Sequence, residues 1–209
     1  MAAHKRSAAR GRPGLRNELR IIGGEWRGRR VQFPPLPQLR PSPDRVRETL
    51  FNWLAPVIEG ARCLDLFAGS GALGLEAASR GAAAVVLVDR EPRVRAALGA
   101  SIERLGGTGL EAVCADAFVY LTRAGEPFDI VFVDPPFGQG LLVRSCAALA
   151  ASARLAAGAR IYLECAAAEG APELPPGWAL LRSRRAGRVG YHLAQAPPGA
   201  VPDATGGEV

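Results

Sequence analysis

Phe128-Asp129-Ile130-Val131-Phe132-Val133 runs straight into Asp134-Pro135-Pro136-Phe137. An apolar strand that ends in a carboxylate, two prolines and an aromatic ring has the parts needed to activate an amine. The prolines fix φ near about −65° and carry no N–H, so their carbonyls point from a rigid frame. An amine attached to a nucleobase is a poor nucleophile, because its lone pair is delocalised into the ring. Two acceptors on its N–H groups, the Asp134 carboxylate and the Pro135 carbonyl, draw it toward tetrahedral geometry and free that lone pair. Phe137 can stack on the base and hold its plane. Asp134, Pro135, Pro136 and Phe137 are therefore the candidate catalytic residues, working by positioning and electrostatics without a covalent intermediate. A base reached this way must be unpaired or flipped from its stack. In isolation the same residues would also serve as a strand, a Pro-Pro turn and a core phenylalanine.

A second constellation decides between these uses. Asp65-Leu66-Phe67-Ala68-Gly69-Ser70-Gly71-Ala72-Leu73-Gly74 joins an apolar run to a helical stretch. Glycines there let the chain turn sharply and let a ligand approach the backbone. The G-x-G-x-x-G spacing alone is shared with dinucleotide-binding folds. A pyrophosphate, however, wants the helix N-terminus free for an anion, whereas Asp65 suits the cationic amino end of an amino-acid-like cofactor. Asp89 follows Val85–Val88 and suits ribose hydroxyls; Asp116 follows the next apolar run and can accept from an adenine amine. Each acid alone reads equally well as a helix cap or a solvated strand end. Three at successive strand ends point to S-adenosylmethionine, whose sulfonium also favours nearby carboxylates and carbonyls. Asp65, Phe67, Ala68, Gly69, Gly71, Asp89, Arg90, Asp116, Ala117 and Asp134 are the candidate cofactor-binding residues, with NAD the lesser alternative. No metal is expected, since Cys63, Cys114, Cys146 and Cys165 show no C-x-x-C spacing and no His cluster. They read as reduced thiols of a cytoplasmic protein.

These residues need an alternating scaffold. Short apolar runs at Cys63–Phe67, Val85–Val88, Leu110–Cys114, Ile130–Val133 and Ile161–Cys165 predict strands. Between them Ala72–Arg80, Pro92–Leu105, Ala117–Arg123 and Leu141–Leu155 have helical spacing. Fully apolar strands alternating with helices imply a mostly parallel sheet covered on both faces. Trp178–Leu193 reads as two strands about Ala186-Gly187, an antiparallel addition at the sheet edge. Upstream, Ser42 is expected to cap a helix with Pro43 at its first position. Val46, Leu50, Trp53, Leu54 and Val57 would form its apolar face, leaving Arg45, Glu48 and Asn52 free to face a ligand. The expected organisation is a flexible basic arm over 1–19, a hairpin and helix over 20–60, the α/β domain over 61–195 and a disordered tail over 196–209. No membrane span is expected, because the longest apolar run, Ala82–Val88, is far below the about 20 residues one needs.

Charge is unevenly placed. Residues 1–50 hold 12 Lys and Arg against 4 Asp and Glu, within a chain whose net charge is +6. Such an arm suits a polyanion, since each neutralised phosphate releases counterions, although a solvated basic tail without a partner would look the same. Arg20–Phe33 reads as a short hairpin displaying Arg27, Arg29 and Arg30. With Arg20, Arg40, Arg45 and Arg47, these are the candidate RNA contacts.

The core resembles a class I S-adenosylmethionine-dependent methyltransferase, with Asp65–Gly74 as its first motif and Asp134–Phe137 as its amino-methylation motif. More specifically, the segments Arg20-Ile21-Ile22-Gly23-Gly24-Glu25-Trp26-Arg27-Gly28-Arg29 and Arg40–Leu54 resemble the bacterial RsmD family. Gly187–Leu193 is similar to that family's closing strand. The resemblance implies a Rossmann-like seven-stranded sheet with the last strand antiparallel. It also implies methylation of guanine N2 at position 966 of 16S rRNA, within the small ribosomal subunit or its assembly intermediate. A monomer is expected, although nothing in the sequence fixes the oligomeric state. Asp-Pro-Pro-Phe itself leaves adenine N6 open as the acceptor, and the fold alone would also suit a catalytically silent RNA-binding subunit.

Overall fold

A computed structural model describes residues 17–36 and 42–198. Its main body is a seven-stranded sheet built from β3 (Arg62–Asp65), β4 (Ala84–Asp89), β5 (Leu110–Cys114), β6 (Phe128–Val133), β7 (Leu155–Ala166), β8 (Ala179–Ala186) and β9 (Val189–Gln195). The order across it is β5-β4-β3-β6-β7-β9-β8. From β5 to β7 all pairings are parallel, while β9 runs antiparallel to both β7 and β8. This is the Rossmann-like class I methyltransferase arrangement, and the final strand is the antiparallel one, inserted inside the edge rather than forming it.

Period-2 alternation sorts the strand residues into two cores. Cys63, Val85, Leu87, Ile130, Phe132 and Tyr162 face one side, packed under α1 (Asp44–Leu54), α2 (Ala72–Ser79) and α3 (Pro92–Leu105). Leu64, Val88, Val131, Val133, Ile161 and Leu163 face the other, under α4 (Ala117–Leu121) and α5 (Leu141–Ala151). Burial on both faces is why these strands are apolar throughout. The chain leaves β3 toward β4 on one side and returns to β6 on the other. A switch point of this kind opens a crevice at the carboxyl ends of the strands.

Several boundaries differ from the sequence expectation. Glu18 and Leu19 belong to β1 (Glu18–Arg20), which pairs with β2 (Arg30–Gln32), so the hairpin takes the last residues assigned to the arm. Leu19 is buried, which anchors it. The stretch Leu141–Leu155 is not one helix: α5 ends at Ala151, and Leu155 starts the long strand β7. An Ala- and Gly-rich sequence carries little periodicity to mark that change. Ala196, expected in the tail, is buried and donates its N–H to the Ala159 carbonyl. In α1 the buried face is Val46, Arg47, Leu50, Phe51 and Leu54, with Val57 exposed beyond the helix end. Pro56 explains that end, because it has no N–H to continue the helical hydrogen-bond ladder, although Ala55 before it keeps helical angles. Trp53 instead stacks on Tyr191 of β9 at 5.5 Å. No helix among the described residues is long and apolar enough to cross a membrane.

Candidate active site

The carboxyl ends of β3, β4, β5, β6 and β7, with the start of α1, enclose a cavity of about 730 Å³. The loop after β3 makes its floor. Gly69 and Gly71 take φ of 49° and 78°, the left-handed region that glycine enters without strain. Asp65 is buried, and its Oδ2 accepts the Gly74 N–H at 2.9 Å. A Cβ at Gly74 would lie 2.7 Å from Leu87 and 3.2 Å from that same carboxylate. This glycine therefore lets α2 sit close enough to fix Asp65. Burial, reinforced by Asp89, pushes the Asp65 carboxyl up to about 7, with the Gly74 bond opposing it.

Asp89 ends β4 and accepts the Gly69 N–H at 3.0 Å and the Glu91 N–H at 2.8 Å. Asp116 is the N-cap of α4, with one oxygen accepting from Phe118 and Val119. Capping and ligand binding are compatible here, since a carboxylate has more acceptor sites than these bonds use. Both acids line the cavity, as do Asp65, Phe67, Ala68, Gly69, Arg90 and Ala117. Gly71 does not: a Cβ there would lie 2.6 Å from Leu98, so its glycine serves the turn and the packing beneath it. An acidic wall around a glycine loop fits a ligand with an ammonium and a sulfonium far better than a pyrophosphate. The residues present thus fit S-adenosylmethionine. Among the described residues no group of three or more His, Cys, Asp or Glu is placed to hold a metal ion.

At the end of β6, Asp134 is half-buried, Pro135 is buried and Phe137 is 43% exposed. All four residues of Asp134–Phe137 line the same cavity as the three acids. Burial, then the nearby Glu164 and Asp65 carboxylates, hold the Asp134 carboxyl well above its ordinary range. Its Oδ2 lies 3.3 Å from Ser42 Oγ, which is 3.0 Å from Glu164 Oε2. Tyr162 donates to that same Glu164 oxygen at 2.7 Å.

Ser42 therefore does not cap α1. Pro43 occupies the N-cap, and no side chain caps that helix end. Sequence reasoning assigned no role to Glu164 or Tyr162. One signal was available: Glu164 is the lone carboxylate inside the apolar run Ile161–Cys165, and a buried acid needs a reason. Arg188, between β8 and β9, was also missed and lines the cavity.

The arginines expected at the RNA divide. Arg47 is fully buried and cannot reach a phosphate. Its guanidinium bonds to Glu76 at 3.2 Å, Asp44 at 2.7 Å and the Arg20 carbonyl at 2.9 Å. Arg29 donates to the carbonyls of Arg104 and Leu105 at the C-terminus of α3. Arg20 pairs with Asp44 and Arg30 with Glu18, both on the surface. Arg27 and Arg45 are exposed. Arg40 lies outside the described residues.

A family model described as "Conserved hypothetical protein 95" matches residues 19–195. Ribosomal RNA small subunit methyltransferase D of Escherichia coli (strain K12) is 49% identical over 178 residues, 85% of this chain and 90% of that protein. The protein of the same name from Haemophilus influenzae is 38% identical, covering 88% of this chain and 96% of its own. The chain belongs to the RsmD family of methyltransferases. Among solved structures, one described as "Putative methyltransferase yhhF from Escherichia coli" superposes with a TM-score of 0.79 at 47% identity, covering 86% of this chain and 98% of that one. A Thermus thermophilus 16S rRNA N2 G1207 methyltransferase (RsmC) shares the fold at 24% identity and a TM-score of 0.62, over 86% of this chain and 49% of that one. In this member of the RsmD family, the described part of the Arg-Pro-Ser-Pro-Asp-Arg-Val-Arg-Glu segment places Ser42 beside Asp134 and Glu164 and Arg47 in the buried ion-pair network.

Proposed function

We propose that this protein transfers a methyl group from S-adenosylmethionine to the exocyclic N2 of a guanine, position 966 by family resemblance, in 16S rRNA. The substrate would be the small ribosomal subunit or its assembly intermediate, and the enzyme a cytoplasmic monomer. One observation carries the chemistry: Asp134 shares a cavity with Asp65, Asp89 and Asp116. The names of the RsmD relatives support rRNA of the small subunit as the target.

When bound, S-adenosylmethionine supplies an electrophilic methyl group on a sulfonium. Asp65 would face its amino end, Asp89 its ribose and Asp116 its adenine, with Phe67, Ala68, Gly69, Arg90 and Ala117 completing the wall. Asp134 and the Pro135 carbonyl accept the amine's N–H bonds and turn its lone pair out of conjugation. A new N–C bond forms as the S–C bond breaks, and the amine sheds one proton. Asp134, whose burial raises its affinity for protons, can take it. Phe137 offers a stacking surface to the base.

For the RNA backbone, exposed arginines on three elements support contact. Arg27 and Arg45 lie on the hairpin loop and α1, and Arg182, Arg184, Arg185 and Arg188 lie on and beside β8, whose outer edge is unpaired among the described residues. Arg188 links that edge to the cavity.

The decisive experiment incubates the protein and labelled S-adenosylmethionine with small-subunit particles from cells lacking the enzyme. Nucleoside analysis should give N2-methylguanosine, and Asp134→Ala should abolish it while retaining cofactor binding. N6-methyladenosine would instead select the adenine alternative, and cofactor binding without transfer to any RNA would select the silent subunit.

A further inference from the structure

Glu164 is 4% exposed, yet it lies in the wall of the main cavity. That wall, with Pro135, Pro136, Phe137 and Leu141, is shared with a smaller pocket of about 200 Å³ behind it. A carboxylate so placed is costly unless its oxygens are engaged. Only one of them is. Oε2 receives both the Tyr162 hydroxyl and the Ser42 hydroxyl, whereas Oε1 has no hydrogen-bond partner among the described residues. Glu164 lines the cavity, so Oε1 is the oxygen it has left to offer there. Asp134 has the same form, its Oδ2 near Ser42 and its Oδ1 unpartnered among the described residues. One serine hydroxyl thus lies between two carboxylates and leaves each a free acceptor in the same cavity.

The purine edges differ in how they would meet such a pair. Guanine carries its N2 amine beside an N1–H, two donors next to each other. Adenine carries its N6 amine beside a bare N1, a donor next to an acceptor. Two adjacent carboxylates match the first and oppose the lone pair of the second.

We propose that Glu164 accepts the N1–H of the target guanine and thereby sets guanine over adenine as the base this site methylates. The assignment rests on guanine N2 being the methyl acceptor. A charged acceptor on N1–H also pushes electron density toward C2 and its amine, which helps the N2 lone pair. Ser42 and Tyr162 are positioning residues, holding Oε2 so that Oε1 stays aimed at the base. They also favour the ionised acid, against the burial that raises its affinity for protons.

The test uses reconstituted small-subunit particles carrying either guanine or 2-aminopurine at the mapped position. 2-Aminopurine keeps the N2 amine and presents a bare N1. Wild-type enzyme should prefer guanine in kcat/KM by about 10- to 100-fold, the range for a buried hydrogen bond to a charged group. Glu164→Gln can donate an amide N–H to a bare N1, so it should lose rate on guanine while its rate on 2-aminopurine holds or rises. Glu164→Ala, with no acceptor, provides a second variant in which the preference collapses. Equal wild-type rates on the two bases would overturn the role, as would a Gln variant slowed equally on both. The product tells this failure from a deeper one: wild-type methylation anywhere but guanine N2 would refute the underlying reading instead.

Discussion

Asp65 is a carboxylate held against the preference of its surroundings. Burial raises its affinity for protons from the ordinary 3.8 to about 7. Between these values the folded chain keeps a proton that the unfolded chain has released. Its contribution to stability is therefore fully present below about pH 4 and is lost as pH rises through about 7. Cofactor binding runs the other way, because a cationic amino group prefers the ionised acid. Affinity for S-adenosylmethionine should weaken by about tenfold per pH unit below 7. Asp65→Asn should raise the melting temperature of the free protein at pH 8 and remove the pH step in calorimetric binding while weakening it. Wild-type affinity that stayed flat from pH 8 to 5.5 would rule this out. Asp65 could be named from sequence because it stands before a glycine loop and in series with Asp89 and Asp116 at successive strand ends. Glu164 could not be so named, because its partners are far away in the chain: 122 positions separate it from Ser42.

Among the elements, one buried acid ties the hairpin and α1 to α2. Glu76 of α2 accepts from the Ile22 N–H at 2.9 Å, Arg47 at 3.2 Å and Arg80 at 2.8 Å. The network joins the hairpin loop, α1 and α2, and both Arg47 and Glu76 are fully buried. Arg47→Ala leaves that acid short of a partner, which costs about 3–5 kcal/mol for a buried pair. The melting temperature should fall by roughly 6–20 °C for a domain of this size. Arg47→Ala with Glu76→Ala should cost less than the two single changes combined, as coupled neighbours do. Additive losses in thermal unfolding would show that the pair is not coupled. The strands and most helices were legible because period-2 and period-3.6 apolar patterns survive in the sequence. Arg47 was not, because an arginine on a helix reads as solvent-facing until a distant Glu76 claims it. Arg29 stays exposed, yet it also donates to carbonyls of α3, partners that no residue pattern displays.

Across the whole molecule, the basic surplus of residues 1–50 suggested a single RNA-binding arm. The fold redistributes that charge. Arg47 is withdrawn into the interior and Arg29 is turned onto a helix end, while β8 contributes Arg182, Arg184 and Arg185 on the far edge of the sheet. This edge lies next to β9, and the turn between them carries Arg188 into the cavity wall. RNA whose target base enters the cavity would then have phosphates within reach of the edge. An unpaired strand edge is otherwise a liability for sheet-to-sheet pairing, and a row of cations protects it in either case. The two uses separate by salt. If the edge binds phosphate, replacing Arg182, Arg184 and Arg185 together with Gln should lower particle affinity. It should also reduce the slope of log Kd against log salt by about 2, given roughly 0.7 per single-stranded phosphate contact. Cofactor affinity should stay unchanged, because none of the three lines the cavity. A slope identical to wild type would leave these cations the protective role alone and return the phosphate contacts to Arg27, Arg45 and the hairpin side. The same measurement on Arg27→Gln with Arg45→Gln would then have to show the lost slope.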